Sequence, residues 1–258
     1  MCRDAGWTES VPKELIRRAC FTSLMTAPNP RTRAIRIERI AKKNGADLVG
    51  FADMRRLKGF FSYTDDLIKD LPYAICLAVG LDRWGRYDTS TEDDFSFPFL
   101  EHIAGEVKRE IERLGFSARI IPPDKRVGHT SPLYWRGEVS HKAAAKTAGI
   151  GWIGRSTLLV TPEFGPRVCL TTVMTDMPLS TGKPMKSRCG SCKACVVACP
   201  LRTLKGATFA DHPRDVSDAI DVRKCGALVN RTWAEGVMCY ECMLACPKGK
   251  KRGRKRKV

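Results

Sequence analysis

The chain has 258 residues, of which 43% are hydrophobic, and its formal net charge is +17. This length and this hydrophobic content are enough to bury a sizeable core in one large or two modest domains. No stretch approaches the roughly 20 apolar residues of a membrane helix, and the N-terminus lacks the apolar run of a secretory signal. We therefore expect a cytoplasmic protein without a membrane segment, whose positive charge favours anionic partners.

Residues 1–32 are predicted to form an N-terminal extension. The extension ends in AlaProAsnProArg, a composition that favours neither helix nor strand. Met25 is a candidate alternative start. A folded domain is expected to begin near Arg33.

The hydrophobic pattern of residues 33–179 mixes strands with helices around one sheet. Short continuous runs of apolar residues predict buried strands. Apolar residues at helical spacing, followed by glycine, predict helices. The predicted helices lie around Ile37–Ala41, from Leu100 to Leu114 and over 140–148; the predicted strands lie over 47–52, 73–79, 118–121, 157–161 and 167–175. These elements predict an α+β domain built on a mixed sheet with flanking helices.

The composition changes after residue 179. Residues 180–188 are a predicted linker, and residues 189–247 are rich in cysteine. The last eleven residues, 248–258, contain eight Lys or Arg and are predicted to be a disordered tail. Removing those eight charges from +17 leaves +9, so the rest of the chain is itself basic. The tail is either a solvated terminus or a segment that binds a phosphate backbone such as that of tRNA.

Eight of the twelve cysteines form two related motifs. The first is C-x2-C-x2-C-x3-C followed by Pro200, which is the spacing of bacterial two-cluster ferredoxins. The second repeats its latter half, C-x2-C-x3-C followed by Pro247, with Cys225 as the remaining ligand. In the two-cluster ferredoxins the last cysteine of each motif binds the other cluster. This predicts two 4Fe–4S clusters, one held by Cys189, Cys192, Cys195 and Cys246 and the other by Cys199, Cys225, Cys239 and Cys242.

Zinc is the alternative metal, because paired C-x2-C motifs also form zinc ribbons. A zinc ribbon needs neither three cysteines in such close succession nor the two Cys-Pro endings, so we favour iron and sulfur. The other four cysteines lack this spacing; Cys76 and Cys169 fall in predicted strands and are expected to be buried as small hydrophobic residues.

Residues 141–160 resemble the epoxyqueuosine reductase family. Its members show a stretch of the form E-K-x-x-A-x-x-A-G-L-G-W-x-G-K-N/H-T-L-L, in which the glutamate is replaced by His141 here. The matching positions are Lys142, Ala145, Ala148, Gly149, Gly151, Trp152, Gly154, Thr157, Leu158 and Leu159. ThrAspMetProLeu at 175–179, GlyAlaAspLeuValGlyPheAlaAsp at 45–53 and the CysGlySerCys start at 189–192 also fit the family. The resemblance covers about residues 34–247.

The resemblance implies a fold and a chemistry. The N-terminal domain is expected to be similar to nitroreductase and cobalamin-processing proteins, with a two-cluster ferredoxin-like domain packed against it and cobalamin between them. In the family, the clusters reduce the cobalt, and the reduced corrinoid removes the epoxide oxygen of a modified tRNA base. Reductive dehalogenases are similar relatives with another substrate. Expected partners are tRNA and an electron donor such as a flavodoxin or ferredoxin reductase system. The protein itself is expected to be a monomer.

The glycine-rich segment is the predicted corrinoid contact. It supplies Gly149, Gly151, Trp152, Gly154, Arg155 and Ser156, whose glycines permit close approach of a flat ligand and whose arginine suits an anionic group. The alternative interpretation is a helix end, a tight connection and a tryptophan in the core.

Removal of an epoxide oxygen needs a general acid. The family places an aspartate shortly before its E-K pair, at a position that falls on Trp135, and no aspartate lies between Lys125 and Asp176. Tyr134 and His141 are the predicted catalytic replacements, with Glu138 and His129 as further candidates.

Three classes of function fit the sequence. The first is an iron–sulfur reductase similar to epoxyqueuosine reductase. The second is a ferredoxin-like electron-transfer protein that serves a partner enzyme. The third is a dehalogenase-like corrinoid enzyme with a small substrate. Cobalamin retention separates the first and third from the second, and tRNA retention separates the first from the third.

Overall fold

The computed structural model describes residues 28–59, 65–81, 96–122, 138–209, 213, 215–234 and 239–249. The predictions for most of the N-terminal extension, for Tyr134, His129 and Trp135, and for the tail beyond residue 249 fall outside these ranges. Across the described ranges, no helix is long and apolar enough to cross a membrane.

Helices and strands follow one another from residue 30. In chain order they are α1 (Pro30–Lys43), β1 (Leu48–Asp53), a 3₁₀ helix (Met54–Leu57), α2 (Asp65–Asp70), β2 (Tyr73–Gly80), α3 (Ser96–Arg113), β3 (Ala118–Ile121), α4 (His141–Thr147), β4 (Trp152–Ile153), β5 (Leu159–Val160), β6 (Val168–Thr175), α5 (Ala194–Ala198), a second 3₁₀ helix (Val216–Asp218), α6 (Val222–Ala234) and α7 (Glu241–Leu244).

The first helix begins three residues before the predicted boundary at Arg33. Asn29 caps it, because its side chain accepts the Thr32 backbone N–H at 2.9 Å. Pro30 occupies the first turn, where a missing N–H costs nothing. The segment predicted to favour neither helix nor strand is thus a helix start, and Gly45, with φ of +104°, follows the helix end as predicted.

Four strands form one sheet in the order β1-β2-β6-β3. Each neighbouring pair is antiparallel, so the predicted mixed sheet is wrong for the strands described here. The predicted strands 47–52, 73–79, 118–121 and 167–175 are confirmed to within about a residue at each end.

The sheet lies between two helical layers. Ile75, Leu77 and Val79 of β2 face the buried sides of α1 and α3, whereas Ala74 and Cys76 face α4. The face toward α4 is built from small residues, including Ala143, Ala144 and Ala145 of that helix, so the helix can approach the sheet closely. This arrangement brings the family-like segment that follows α4 to one edge of the domain.

The predicted strand 157–161 is only partly correct. Its ordered part is β5, which pairs with β4 in a separate two-stranded sheet. Thr157 has φ of +64°, a left-handed conformation that cannot continue a strand, and its N–H bonds to the Gly154 carbonyl at 2.9 Å. Residues 154–158 therefore form a tight turn.

The predicted linker 180–188 is packed against the α/β domain. The Gly182 N–H donates to the Phe51 carbonyl of β1 at 2.8 Å. A Cβ on Gly149 would lie 2.5 Å from the Lys183 carbonyl oxygen, and a Cβ on Gly182 would lie 2.0 Å from the Ala148 carbonyl oxygen. Glycine is therefore required on both sides of this contact, which fixes the start of the cysteine segment.

The contact at Gly149 can be tested against a glycine of similar conformation. Gly149 has φ of +80°, and Gly115, with φ of +83°, has open space where a Cβ would stand, with no heavy atom within 4 Å. We expect Gly115→Ala to cost about 1 kcal/mol of unfolding free energy from backbone strain alone. Gly149→Ala should cost about 1–3 kcal/mol more, because the methyl group also overpacks against Lys183. Equal losses in thermal or denaturant unfolding would contradict this contact.

Candidate functional site

The cysteine segment places its eight motif cysteines on short helices and the loops beside them. Cys195 lies in α5, Cys225 in α6 and Cys242 in α7, while Cys199 is the residue that ends α5. The short helices α5 and α7 pack against each other. The described motif cysteines are free thiols.

The electrostatic interactions among the thiols divide them into two sets. The first cysteine set consists of Cys189, Cys192, Cys195 and Cys246. The second cysteine set consists of Cys199, Cys225, Cys239 and Cys242. Burial raises the pKa of Cys195, and the neighbouring thiols Cys189 and Cys246 raise it further. Burial also raises the pKa of Cys246, with Cys189 and Cys192 among its charged neighbours. The last cysteine of the chain therefore lies with the first three.

The second set is held together in the same way. Burial raises the pKa of Cys225, with contributions from Cys199 and Cys239. Burial raises the pKa of Cys242 to about 12, and Cys225, Cys239 and, from the first set, Cys195 add to the shift, so the two sets adjoin. Keeping such thiols as thiolates requires a strongly bound cation or cluster.

The second cysteine set lines a single cavity. Apart from Thr203, its other walls are apolar and include Leu204, Ile220, Leu228 and Val229. Four sulfur donors around an apolar hollow are a donor set that suits an iron–sulfur cluster. Across the described residues, no three His, Cys, Asp or Glu side chains converge closely enough to hold one metal ion.

Thr203 contacts the second set directly. Its backbone N–H donates to the Cys199 sulfur at 3.3 Å, and its hydroxyl lies 3.2 Å from the same sulfur. Burial alone would raise the pKa of Cys199, but hydrogen bonds with Thr203 and with the backbone of Leu201 and Leu204 together lower it. The sequence carries no signal for this residue, because a threonine four positions after a cysteine is not part of any spacing rule.

Two arginines of the α/β domain hold the cysteine segment. Arg155 donates to the carbonyls of Gly190, at 2.9 Å, and of Gly206. Arg167, only 5% exposed, donates to the carbonyls of Lys248 at 2.8 Å and Cys246 at 3.5 Å. The sequence predicts that Arg155 binds an anionic cofactor, whereas in the structure its guanidinium bridges the two parts of the chain.

The other predicted corrinoid residues face protein. A Cβ on Gly151 would lie 2.3 Å from the Val160 carbonyl oxygen, and one on Gly154 would lie 2.7 Å from the Val160 side chain. Trp152 and Ser156 are buried, and the Arg188 guanidinium lies 5.9 Å above the Trp152 ring. Protein atoms thus fill the Cβ positions of these glycines, and a role of these residues in binding a corrin ring stays a prediction. Trp152 Nε1 and Arg155 Nε are buried without a hydrogen-bond partner among the described residues.

His141 lies at the start of α4 with both ring nitrogens bonded. Nε2 donates to the Pro122 carbonyl at 3.2 Å, so Nδ1 accepts from the Thr172 hydroxyl at 2.8 Å. Burial lowers its pKa to about 4, which keeps the ring neutral near pH 7. This geometry positions α4 against the sheet; a catalytic role for His141, like one for Tyr134, stays a prediction. The further candidate Glu138 forms an ion pair with Arg119.

Lys142, the next residue, holds the turn at 154–158. Its ammonium donates to the Thr157 carbonyl at 2.9 Å, and burial lowers its pKa. The family motif includes Lys142 without indicating this contact.

The buried histidine predicts a pH dependence of stability. Because the pKa of His141 is about 4 in the fold and 6.5 is its reference value, the unfolded chain binds more protons between these pH values. The unfolding free energy should therefore fall as pH is lowered through this window, by up to about 1.4 kcal/mol per pH unit. His141→Gln should flatten the slope measured between about pH 6 and pH 5. His102→Gln, on the exposed surface of α3, is the matched control, and an unchanged slope in His141→Gln would contradict the assignment.

Comparison with known proteins gives matches in sequence and in structure, although no family model matches the chain. The chain is 37% identical over 117 residues to epoxyqueuosine reductase from Listeria monocytogenes, a match that covers 43% of this chain and 30% of the relative. It is 40% identical over 130 residues to the Bacillus subtilis enzyme, covering 47% and 32%. The chain thus spans about a third of the length of these curated relatives.

Solved structures show the same fold. A catabolic reductive dehalogenase in complex with 3-bromo-4-hydroxybenzoic acid matches with a TM-score of 0.64 and 22% identity, over 87% of this chain and 33% of that one. An epoxyqueuosine reductase with an epoxyqueuosine-modified tRNA stem loop matches with a TM-score of 0.58 and 18% identity, over 85% and 66%. The chain is thus similar in sequence to epoxyqueuosine reductases over part of its length, and it shares its fold with solved epoxyqueuosine reductases and reductive dehalogenases.

Proposed function

We propose that this chain is an iron–sulfur oxidoreductase, in which a ferredoxin-like cysteine segment takes up electrons and the α/β domain presents them to an acceptor. One observation carries the proposal: Cys246 neighbours Cys189 and Cys195 at the start of the segment, while Cys199, Cys225, Cys239 and Cys242 line one cavity. This is the crossed arrangement of two-cluster ferredoxins. The first and second cysteine sets are the proposed ligands of the two 4Fe–4S clusters.

The cysteine motifs support iron–sulfur clusters over zinc. A zinc ribbon needs neither three cysteines in such close succession nor the two Cys-Pro endings at Pro200 and Pro247. The four sulfurs of the second cysteine set also line one cavity, which suits a cluster that binds one sulfur at each iron.

The epoxide of an epoxyqueuosine-modified tRNA is the substrate that we propose. The support is the similarity to epoxyqueuosine reductases, one of which is seen with such a tRNA stem loop, and a net charge of +17 that attracts a phosphate backbone. A flavodoxin or ferredoxin reductase system is the proposed electron donor. A bound corrinoid would supply a reducible cobalt between the clusters and this epoxide.

An electron-transfer protein is the second candidate. The specific observation in its favour is that protein atoms, rather than open space, face Gly149, Gly151 and Gly154. On this hypothesis the clusters pass electrons to a partner enzyme, and the α/β domain serves to dock it. A corrinoid enzyme acting on a small molecule, as in the structurally similar dehalogenases, is the third candidate.

The cluster assignment predicts an iron count. Protein purified without oxygen should be brown and hold about eight irons, four for each set of cysteines. Cys225→Ser should lose about four irons, because it removes one ligand of the second set. Cys169→Ser is the matched control, since this cysteine lies in β6 opposite Val79 rather than in a motif. A colourless protein with stoichiometric zinc, or full iron in Cys225→Ser, would contradict the proposal.

Cobalamin and tRNA separate the three candidates. If the chain acts as the relatives do, anaerobic reconstitution should leave cobalamin bound after gel filtration, seen by its absorption spectrum. Retention of tRNA at low salt, falling steeply as salt rises, should accompany it. Cobalamin without tRNA would favour the dehalogenase-like candidate. Failure to retain any corrinoid in an iron-loaded protein would reject the reductase mechanism and favour the electron-transfer protein.

A further inference from the structure

Thr203 is the polar side chain placed against the second cysteine set. It is 3% exposed, and its hydroxyl and N–H both lie within hydrogen-bonding distance of the Cys199 sulfur, at 3.2 and 3.3 Å. Its side chain also interacts with Cys225. One residue therefore contacts the Cys199 sulfur twice and lies beside Cys225, in a cavity whose other walls are largely apolar.

The position of Thr203 is fixed by its backbone. Its carbonyl accepts the Asp221 N–H at 2.9 Å, and the next residue, Leu204, pairs with Ile220. The Asp221 carbonyl in turn accepts the Cys225 N–H at 3.1 Å, at the start of α6. The same short series of backbone hydrogen bonds thus positions both Thr203 and Cys225.

The direction of the hydroxyl bond follows from the chemistry of the sulfur. A cysteine sulfur bound to iron carries no proton and can only accept a hydrogen bond. The Thr203 O–H must then donate to it. Reduction of a cluster adds one negative charge that spreads onto its sulfurs, and donors to those sulfurs stabilise the reduced form.

We propose that the Thr203 hydroxyl is a positioning and potential-setting residue, which makes the cluster of the second cysteine set easier to reduce. This inference rests on the proposed function, because it requires a cluster at that set. The first set has a different neighbour, the Arg167 guanidinium beside Cys246, so its cluster serves as an internal reference.

The test is a reductive titration with dithionite, followed by electron paramagnetic resonance, on the full iron-loaded chain. Thr203→Val keeps the shape and the backbone N–H but removes the hydroxyl, and it should make one of the two one-electron steps more negative. We expect about a tenfold change in that reduction equilibrium, which is about 59 mV for one electron. Thr203→Ser keeps the hydroxyl and should match the wild type. Thr208→Val, at an exposed position in the same segment, is the matched control and should also match it.

Two outcomes overturn the inference. One is a Thr203→Val protein with full iron and unchanged potentials. The other is loss of iron in both Thr203→Val and the smaller Thr203→Ala while Thr203→Ser stays loaded, which would make the hydroxyl a requirement for assembly instead. A wild-type protein that never takes up iron would reject the proposed function itself, and is thereby distinguished from failure of this inference.

Discussion

The placement of the cysteine segment on the α/β domain depends on two guanidinium groups. Arg155 binds carbonyls at Gly190 and Gly206, and Arg167 binds carbonyls at Cys246 and Lys248. Backbone carbonyls are neutral acceptors, so these bonds fix geometry without neutralising the charge of either arginine. Both ends of the segment, the loop after Cys189 and the residues at Cys246, are thereby fastened to the same domain. The first cysteine set, which combines those two ends, depends on this attachment.

Residues of α4 hold Arg155 in position for this attachment. Lys142 on α4 donates to the Thr157 carbonyl, and this bond supports a turn whose left-handed Thr157 would otherwise be strained. Arg155 projects from that turn toward the cysteine segment. His141, one residue earlier, joins α4 to β6 and to the end of β3 through two neutral hydrogen bonds. The consecutive side chains His141 and Lys142 therefore connect the sheet to the turn from which Arg155 contacts the cysteine segment.

The sequence predicts most of the sheet domain because its strands are continuous apolar runs and its helices end at glycines such as Gly45 and Gly115. It places α1 too late, because the composition around AsnPro favours a break although the same pair is a good helix start. It does not predict the pairing of the strands, since strand direction depends on connections that no local pattern encodes. Cysteine spacing indicates the two sets, whereas Thr203 and Arg167 act through tertiary contacts and carry no local signal.

The glycine-rich motif illustrates how one pattern serves two physical needs. A glycine permits close approach by a ligand or by another part of the backbone, and composition alone does not distinguish them. Here the approaching atoms are carbonyl oxygens of Val160 and Lys183, and the arginine in the motif binds carbonyls of the cysteine segment. In this chain the segment 149–155 therefore acts as the joint between the sheet domain and the cysteines. Such a joint would serve a reductase whether or not it also borders a cofactor. It holds the cysteine segment, where electrons would enter, at a fixed position relative to the sheet.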